Sequence, residues 1–165
     1  MSECNEKGIK KYNKPVRARV CGLLAENDTL LLLKHSGLGK AGFIWSPPGG
    51  GIDFGETAES ALIREFLEET GLTIEVTDYL FTNEYIDEQH HAIELFFQVK
   101  KISGEMKLGT DPEISAHEQL LTEARFLTFQ EIDQLPKELK HNTFQFCVSS
   151  SHITLLRGFY NFHNI

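Results

Sequence analysis

The chain has 165 residues and a formal charge of −8 at pH 7, enough length for one domain with a substantial core. Its only basic clusters are Lys7 to Lys14 and the pair Arg17/Arg19, which argues against a nucleic-acid partner; no apolar run is long enough to span a membrane. An acidic protein can still bind phosphates where a divalent cation stands between the charges.

Met1 to Lys14 is polar, lacks a hydrophobic signal region, and is expected to be a flexible tail (1–14) ahead of a single domain (15–165). Val16 to Ala25 reads as a strand, Glu26-Asn27-Asp28 as a turn and Thr29 to Leu33 as a second strand, together a hairpin. The four consecutive leucines of the second strand predict burial on both faces. Gly37 to Gly42 is irregular, and Trp45-Ser46-Pro47-Pro48-Gly49-Gly50-Gly51 can only be edge or loop. Thr57 to Thr70 is the clearest helix: Thr57 can cap its start, Glu56 and Glu59 suit its positive end, and Gly71 sits where a terminating glycine belongs. Strands follow at Glu75 to Glu84 and His91 to Lys101, a loop from Gly109 to Glu123, a short strand at Arg125 to Leu127 and a helix near Phe129 to Leu135. Strands and helices interspersed without strict alternation point to an α/β chain of the α+β type, a mixed sheet between helices.

Cys4, Cys21 and Cys147 are odd in number and form no CxxC pair, so neither a disulfide nor a zinc framework is expected. Free thiols suit a reducing, cytoplasmic compartment.

The helix breaks the ordinary charge rules. On a wheel of about 100° per residue, Leu62, Ile63, Phe66 and Leu67 form one arc, expected to face the core, and Glu65, Glu68 and Glu69 the opposite one. Acids three and four apart repel, by a few tenths of a kcal/mol per pair, and two of them lie at the helix end that disfavours anions. Arg64, four residues before Glu68, gives partial relief. Such a local conflict is either a solvated acidic face or a site where function compensates for it. Carboxylates plus water are the natural ligands of Mg2+ or Mn2+.

The segment Gly50 to Leu72 reads Gly50, five residues, Glu56, seven residues, Arg64-Glu65-Phe66, one residue, Glu68-Glu69, one residue, Gly71-Leu72. It resembles the complete Nudix box, the signature of the Nudix hydrolases, and Trp45 to Gly51 resembles that family's entry to the box. The resemblance implies the Nudix fold and hydrolysis of a nucleoside diphosphate linked to another group. It implies Glu65, Glu68 and Glu69 as ligands of Mg2+ (or Mn2+), completed by the carbonyl of Gly49 or Gly50, with Arg64 and Glu56 orienting the carboxylates. The general base is then Glu68 or Glu69, or an acid of the later loop, Glu118 or Glu113. The alternative is a catalytically silent Nudix-fold module that binds a nucleotide without cutting it.

Outside the box, Arg17 and Arg19 share one face of a strand and could reach substrate phosphates or be a surface pair. Tyr85 could stack on a base or belong to the core. His90-His91 reads as an ordinary loop-to-strand junction. The tyrosine or proline that some Nudix subfamilies carry some 16 residues past the box is missing from Asp87 to His91, so the diphosphate substrate, a small nucleotide-type molecule, is not specified further. The apolar C-terminal segment from Thr143 on either covers the core or makes a homodimer contact.

Overall fold

A computed structural model describes residues 15–39, 41–87, 90–109, 120–145 and 147–161. Eight strands and two α-helices occur among them: β1 (Arg17–Leu23), β2 (Ala25–Glu26), β3 (Thr29–Ser36), β4 (Phe43–Ser46), α1 (Ala58–Thr70), β5 (Thr73–Ile86), β6 (His91–Ser103), β7 (Leu121–Thr128), α2 (Phe129–Gln134) and β8 (Gly158–Tyr160). Short 3-10 turns at Lys137–Leu139, Asn142–Gln145 and Ser150–Leu155 carry the chain from α2 to β8. No helix among the described residues is long and apolar enough to cross a membrane.

The strands form two sheets. One is mixed, in the order β1-β6-β5-β8, with β1 parallel to β6, β5 antiparallel to β6 and β8 parallel to β5. The other is antiparallel, with β3 between β4 and β7 and β2 folded back on β3. The mixed α+β architecture expected from the sequence is therefore present, with the second sheet packed on the first.

The expected hairpin from Val16 to Leu33 is reduced to the two-residue strand β2. The reason lies in consecutive burial. Val20, Cys21, Leu23 and Leu24 are all buried, so β1 needs cover on both faces and takes a central layer instead of lying flat beside β3. Asn27 and Asp28 turn the chain with positive φ (47° and 64°). The run Leu30 to Leu33 is fully buried, as expected. Its alternate residues serve two cores. Leu30 and Leu32 pack with Cys21, Trp45, Phe81, Phe96 and Leu127 between the sheets. Leu31 packs with Val20, Leu62, Phe66 and Leu72 beneath α1. The loop expected from Gly109 to Glu123 ends earlier, because β7 pairs with β3 from Leu121 onward.

Helix α1 has the predicted ends. Thr57 Oγ1 accepts the Ser60 N–H at 3.1 Å, and Gly71 adopts φ 69°, the left-handed turn that glycine makes without strain. Its last carbonyls are met by a returning segment: Lys107 N–H donates to Thr70 O (2.9 Å) and Gly109 N–H to Glu69 O (2.8 Å). The wheel needs one correction. Leu62 and Phe66 are fully buried, but Leu67 is 54% exposed and Glu69 only 8% exposed. The arcs drawn from the sequence misassign both residues: at about 100° per residue Glu69 lies about 20° from Leu62 and Leu67 about 140° from it, so the burial centred on Leu62 and Phe66 takes in Glu69 and leaves out Leu67.

Candidate functional site

Strand β1 is the edge of the mixed sheet, and the loop before α1 runs along it. Val20 N–H donates to Gly50 O (2.9 Å), Gly22 N–H to Pro48 O (2.9 Å) and Ile52 N–H to Ala18 O (3.1 Å). This pairing fixes the glycine loop beneath the acidic side of α1. At Gly50 any side chain would run into the Glu65 carboxylate. At Gly49 the backbone N–H donates to Glu69 Oε2 at 2.8 Å. The sequence run of proline and glycine is thus what lets two glutamates, Glu65 and Glu69, sit against a backbone.

Arg64 gathers the acids. Its Nε and Nη2 donate to the two oxygens of Glu56, each at 3.0 Å, a bidentate fork. Nη1 donates to Glu65 Oε1 (2.9 Å) and to Glu68 Oε2 (3.3 Å), and Nη2 also reaches Gly51 O (3.1 Å). The hydrogen bond from Arg64 holds the Glu56 carboxyl below the usual range. Glu65 is pushed the other way: burial raises it, and Arg64 only partly offsets that. A half-buried carboxylate that resists ionisation is one whose charged form a cation would stabilise most.

Among the described residues no three acidic, histidine or cysteine side chains converge as a ready-made cage. Glu65 and Glu68 turn to Arg64, and Glu69 turns to Gly49. The donor set nevertheless fits a hard divalent cation: three carboxylates on adjacent turns, and a backbone carbonyl next to them. Rotation of Glu65 and Glu68 about their flexible side chains would open the set. The Gly50 carbonyl already accepts from Val20.

A second polar group lies on the face of the mixed sheet that looks at the other sheet, and sequence reasoning missed most of it. Register places Arg19, Glu94 and Asn83 side by side across β1, β6 and β5. The row on one side is Arg17, Ala92 and Tyr85; the row on the other is Cys21, Phe96 and Phe81, whose rings stack at 4.4 Å. The face thus grades from an exposed Arg17 and a half-buried Tyr85 through a buried polar row to apolar core. Arg17, Arg19 and Tyr85, singled out from the sequence, therefore share one surface. Tyr85 donates its hydroxyl to Asp87 Oδ2 at 3.0 Å, and burial with that carboxylate pushes the phenol up to about 12.

Glu94 is the centre of the row. Asn83 Nδ2 donates to its Oε2 (2.7 Å), His141 Nε2 lies 3.2 Å from the same oxygen, and Arg19 Nε is 3.8 Å from Oε1. Burial works to raise the Glu94 carboxyl, but His141, Arg19 and Asn83 outweigh it and hold the group below its ordinary value. One sequence signal could have found it: in His91 to Phe96 the buried parity is Ala92, Glu94, Phe96, and a charge at a buried strand position asks for partners. His90 and His91 instead pair with Asp87 and Glu84 at the β5–β6 turn. Cys21 and Cys147 are free thiols, and Cys4, Glu113 and Glu118 lie outside the described residues.

Comparison with known proteins shows the family. The family model of the NUDIX domain matches residues 14–146. The chain is 31% identical over 136 residues to the ADP-ribose pyrophosphatase of Methanocaldococcus jannaschii, spanning 80% of this chain and 73% of that one. It is 37% identical over 78 residues to a putative 8-oxo-dGTP diphosphatase of Bacillus subtilis, 46% of this chain and 47% of that protein. The fold is similar to the crystal structure of a MutT NUDIX hydrolase from Burkholderia pseudomallei, with TM-score 0.63, 24% identity and coverage of 78% of this chain and 92% of that one. The chain belongs to the NUDIX domain family and is a hydrolase acting on diphosphate bonds.

Proposed function

We propose that this protein is a Mg2+-dependent pyrophosphohydrolase that cuts the phosphoanhydride bond of a nucleoside diphosphate linked to another group. Glu65, Glu68 and Glu69 hold the cation, with Mn2+ able to replace it, and the Gly49 carbonyl is the fourth protein donor. The observation that carries this reading is the Gly50–Glu65 contact. With glycine at position 50 the Glu65 carboxylate rests on the backbone, in the space a Cβ would occupy, which sets that acid beside the loop rather than in solvent.

When bound, the cation neutralises the bridging oxygens and makes the attacking water easier to deprotonate. The remaining work falls to side chains. Glu68 takes the water's proton: it is the acid of the three held most loosely, by one 3.3 Å bond to Arg64, so it can turn to a bound water within hydrogen-bond reach. Glu69, anchored on Gly49 N–H, ties the glycine loop to the last turn of α1. Arg64, locked by Glu56, aligns Glu65 and Glu68 and cannot itself swing toward the substrate. Arg19, in the field of both Glu65 and Glu94, would steady the entering phosphates.

The ADP-ribose pyrophosphatase relative makes ADP-ribose the first substrate to try, beside nucleoside triphosphates. A panel of these with Mg2+ or with EDTA, followed by product identification, tests the reading. Two phosphate-bearing products from one anhydride cut, formed only with the divalent cation, are expected. Tight binding of panel members without any turnover would overturn it.

A further inference from the structure

The polar row between the sheets carries more than ion pairing. Asn83 Nδ2 is committed to Glu94 Oε2 and to Asn142 Oδ1 (3.1 Å). The opposite amide atoms, Asn83 Oδ1 and Asn142 Nδ2, are buried and have no hydrogen-bond partner among the described residues. Asn83 is fully buried. The amide orientations are fixed by their neighbours, because a flipped Asn83 would aim its oxygen at the Glu94 carboxylate. A buried polar atom left unpaired is costly and asks for an explanation.

Position supplies one. Adjacent strands lie about 4.8 Å apart, so Asn83 on β5 is two strands, about 10 Å, from Arg19 on β1. Arg19 is bridged to Gly51 of the glycine loop. The row therefore begins beside the loop on which the acidic side of α1 rests and runs inward from it, where the group attached to a diphosphate held at the cluster would go. Its chemistry is lopsided. An ionised carboxylate can only accept, so His141 faces Glu94 Oε2 with Nε2–H at 3.2 Å, and the carboxylate still has lone pairs on Oε1, which Arg19 Nε approaches only to 3.8 Å. Towards a ligand the row thus offers two acceptors, Glu94 Oε1 and Asn83 Oδ1, and one donor, Asn142 Nδ2.

We propose that Glu94, Asn83 and Asn142 are the specificity-determining residues of this enzyme, selecting a diphosphate whose attached group is uncharged and rich in hydrogen-bond donors, either a sugar diol or an exocyclic amine of the base. Asn142, half-buried on its 3-10 turn, rotates to admit the group. A second anionic group is excluded there by Glu94. The inference rests on the hydrolase reading above, and the test separates the two.

Wild type, Glu94→Gln and Asn83→Ala, which each alter one of the two acceptors, are compared on two substrate pairs: ADP-ribose against its deamino (hypoxanthine) counterpart, and ADP-ribose against ADP esterified to an alkyl alcohol without the diol. Wild type should favour the donor-bearing member of at least one pair by about tenfold or more in kcat/KM. Each variant should cut that ratio to about threefold or less, with Mn2+ affinity at the acidic cluster unchanged and thermal melting confirming the fold. Ratios preserved in both variants, while Glu68→Gln abolishes turnover, would overturn the subsite and leave the hydrolase standing. If wild type turns over none of the substrates, the hydrolase reading fails instead. Calorimetric binding of the same pairs then decides the subsite: a donor preference lost in both variants supports it, and equal binding within each pair refutes it.

Discussion

The backbone N–H of Gly49 donates to Glu69 Oε2 over 2.8 Å, joining the glycine loop to the last turn of α1 across twenty residues of chain. This bond gives Glu69 a structural role beside the metal-binding role proposed for it. Glu69→Gln keeps an acceptor for Gly49 and removes only the charge, so kcat should fall at least about a hundredfold with little change in melting temperature. Glu69→Ala removes the acceptor too and should in addition lose about 1–3 kcal/mol of stability. Urea unfolding beside steady-state kinetics on both variants checks the split.

Gly50 is needed for close approach. In Gly50→Ala the new methyl group would occupy the space of the Glu65 carboxylate. The chain should still fold, since Val20 keeps its bond to the residue's carbonyl. The Mg2+ concentration for half-maximal activity should rise about tenfold or more, and a cation titration at saturating substrate measures it.

Arg64→Lys tests the fork. Lysine keeps the positive charge and cannot span both Glu56 oxygens while reaching Glu65 and Glu68. Activity should drop about ten- to a hundredfold, with partial recovery at high Mg2+, because the misaligned carboxylates are still present. No recovery at any Mg2+ concentration would point to a direct contact of Arg64 with the substrate.

His35, on β3, is pushed down to about 4, first by burial and then by the fields of Arg19 and His141. An open chain titrates near 6.5, so the unfolded state takes up a proton between about pH 6.5 and 4 that the native state refuses. The stability is complete above that window and is lost as the pH falls through it, by up to about 1.4 kcal/mol per pH unit from this one group. Urea midpoints at pH 7, 6 and 5 should decline in wild type and decline less steeply in His35→Gln.

Much of this was legible in the sequence where local chemistry decides. Thr57 and Gly71 delimit α1 through bonds to their own neighbours, and Leu30 to Leu33 announced a strand buried on both sides. What escaped depended on distant partners. Nothing near Arg17 says that its strand pairs parallel with residues more than seventy positions later. The exposure of Leu67 and burial of Glu69 escaped because charge was weighed above position: Glu69 is one heptad from Leu62 and so shares its face, and Gly49 N–H is the partner that lets a carboxylate sit there. Glu94 escaped because its partners come from three other segments: Arg19, Asn83 and His141.

The central claim is that the three glutamates of α1 grip one hard cation, and Mn2+ binding followed by electron paramagnetic resonance tests it most directly. Wild type should bind the ion, and Glu65→Gln and Glu68→Gln should each weaken that binding about tenfold or more while keeping the native melting temperature. Undiminished Mn2+ affinity in both variants would contradict it.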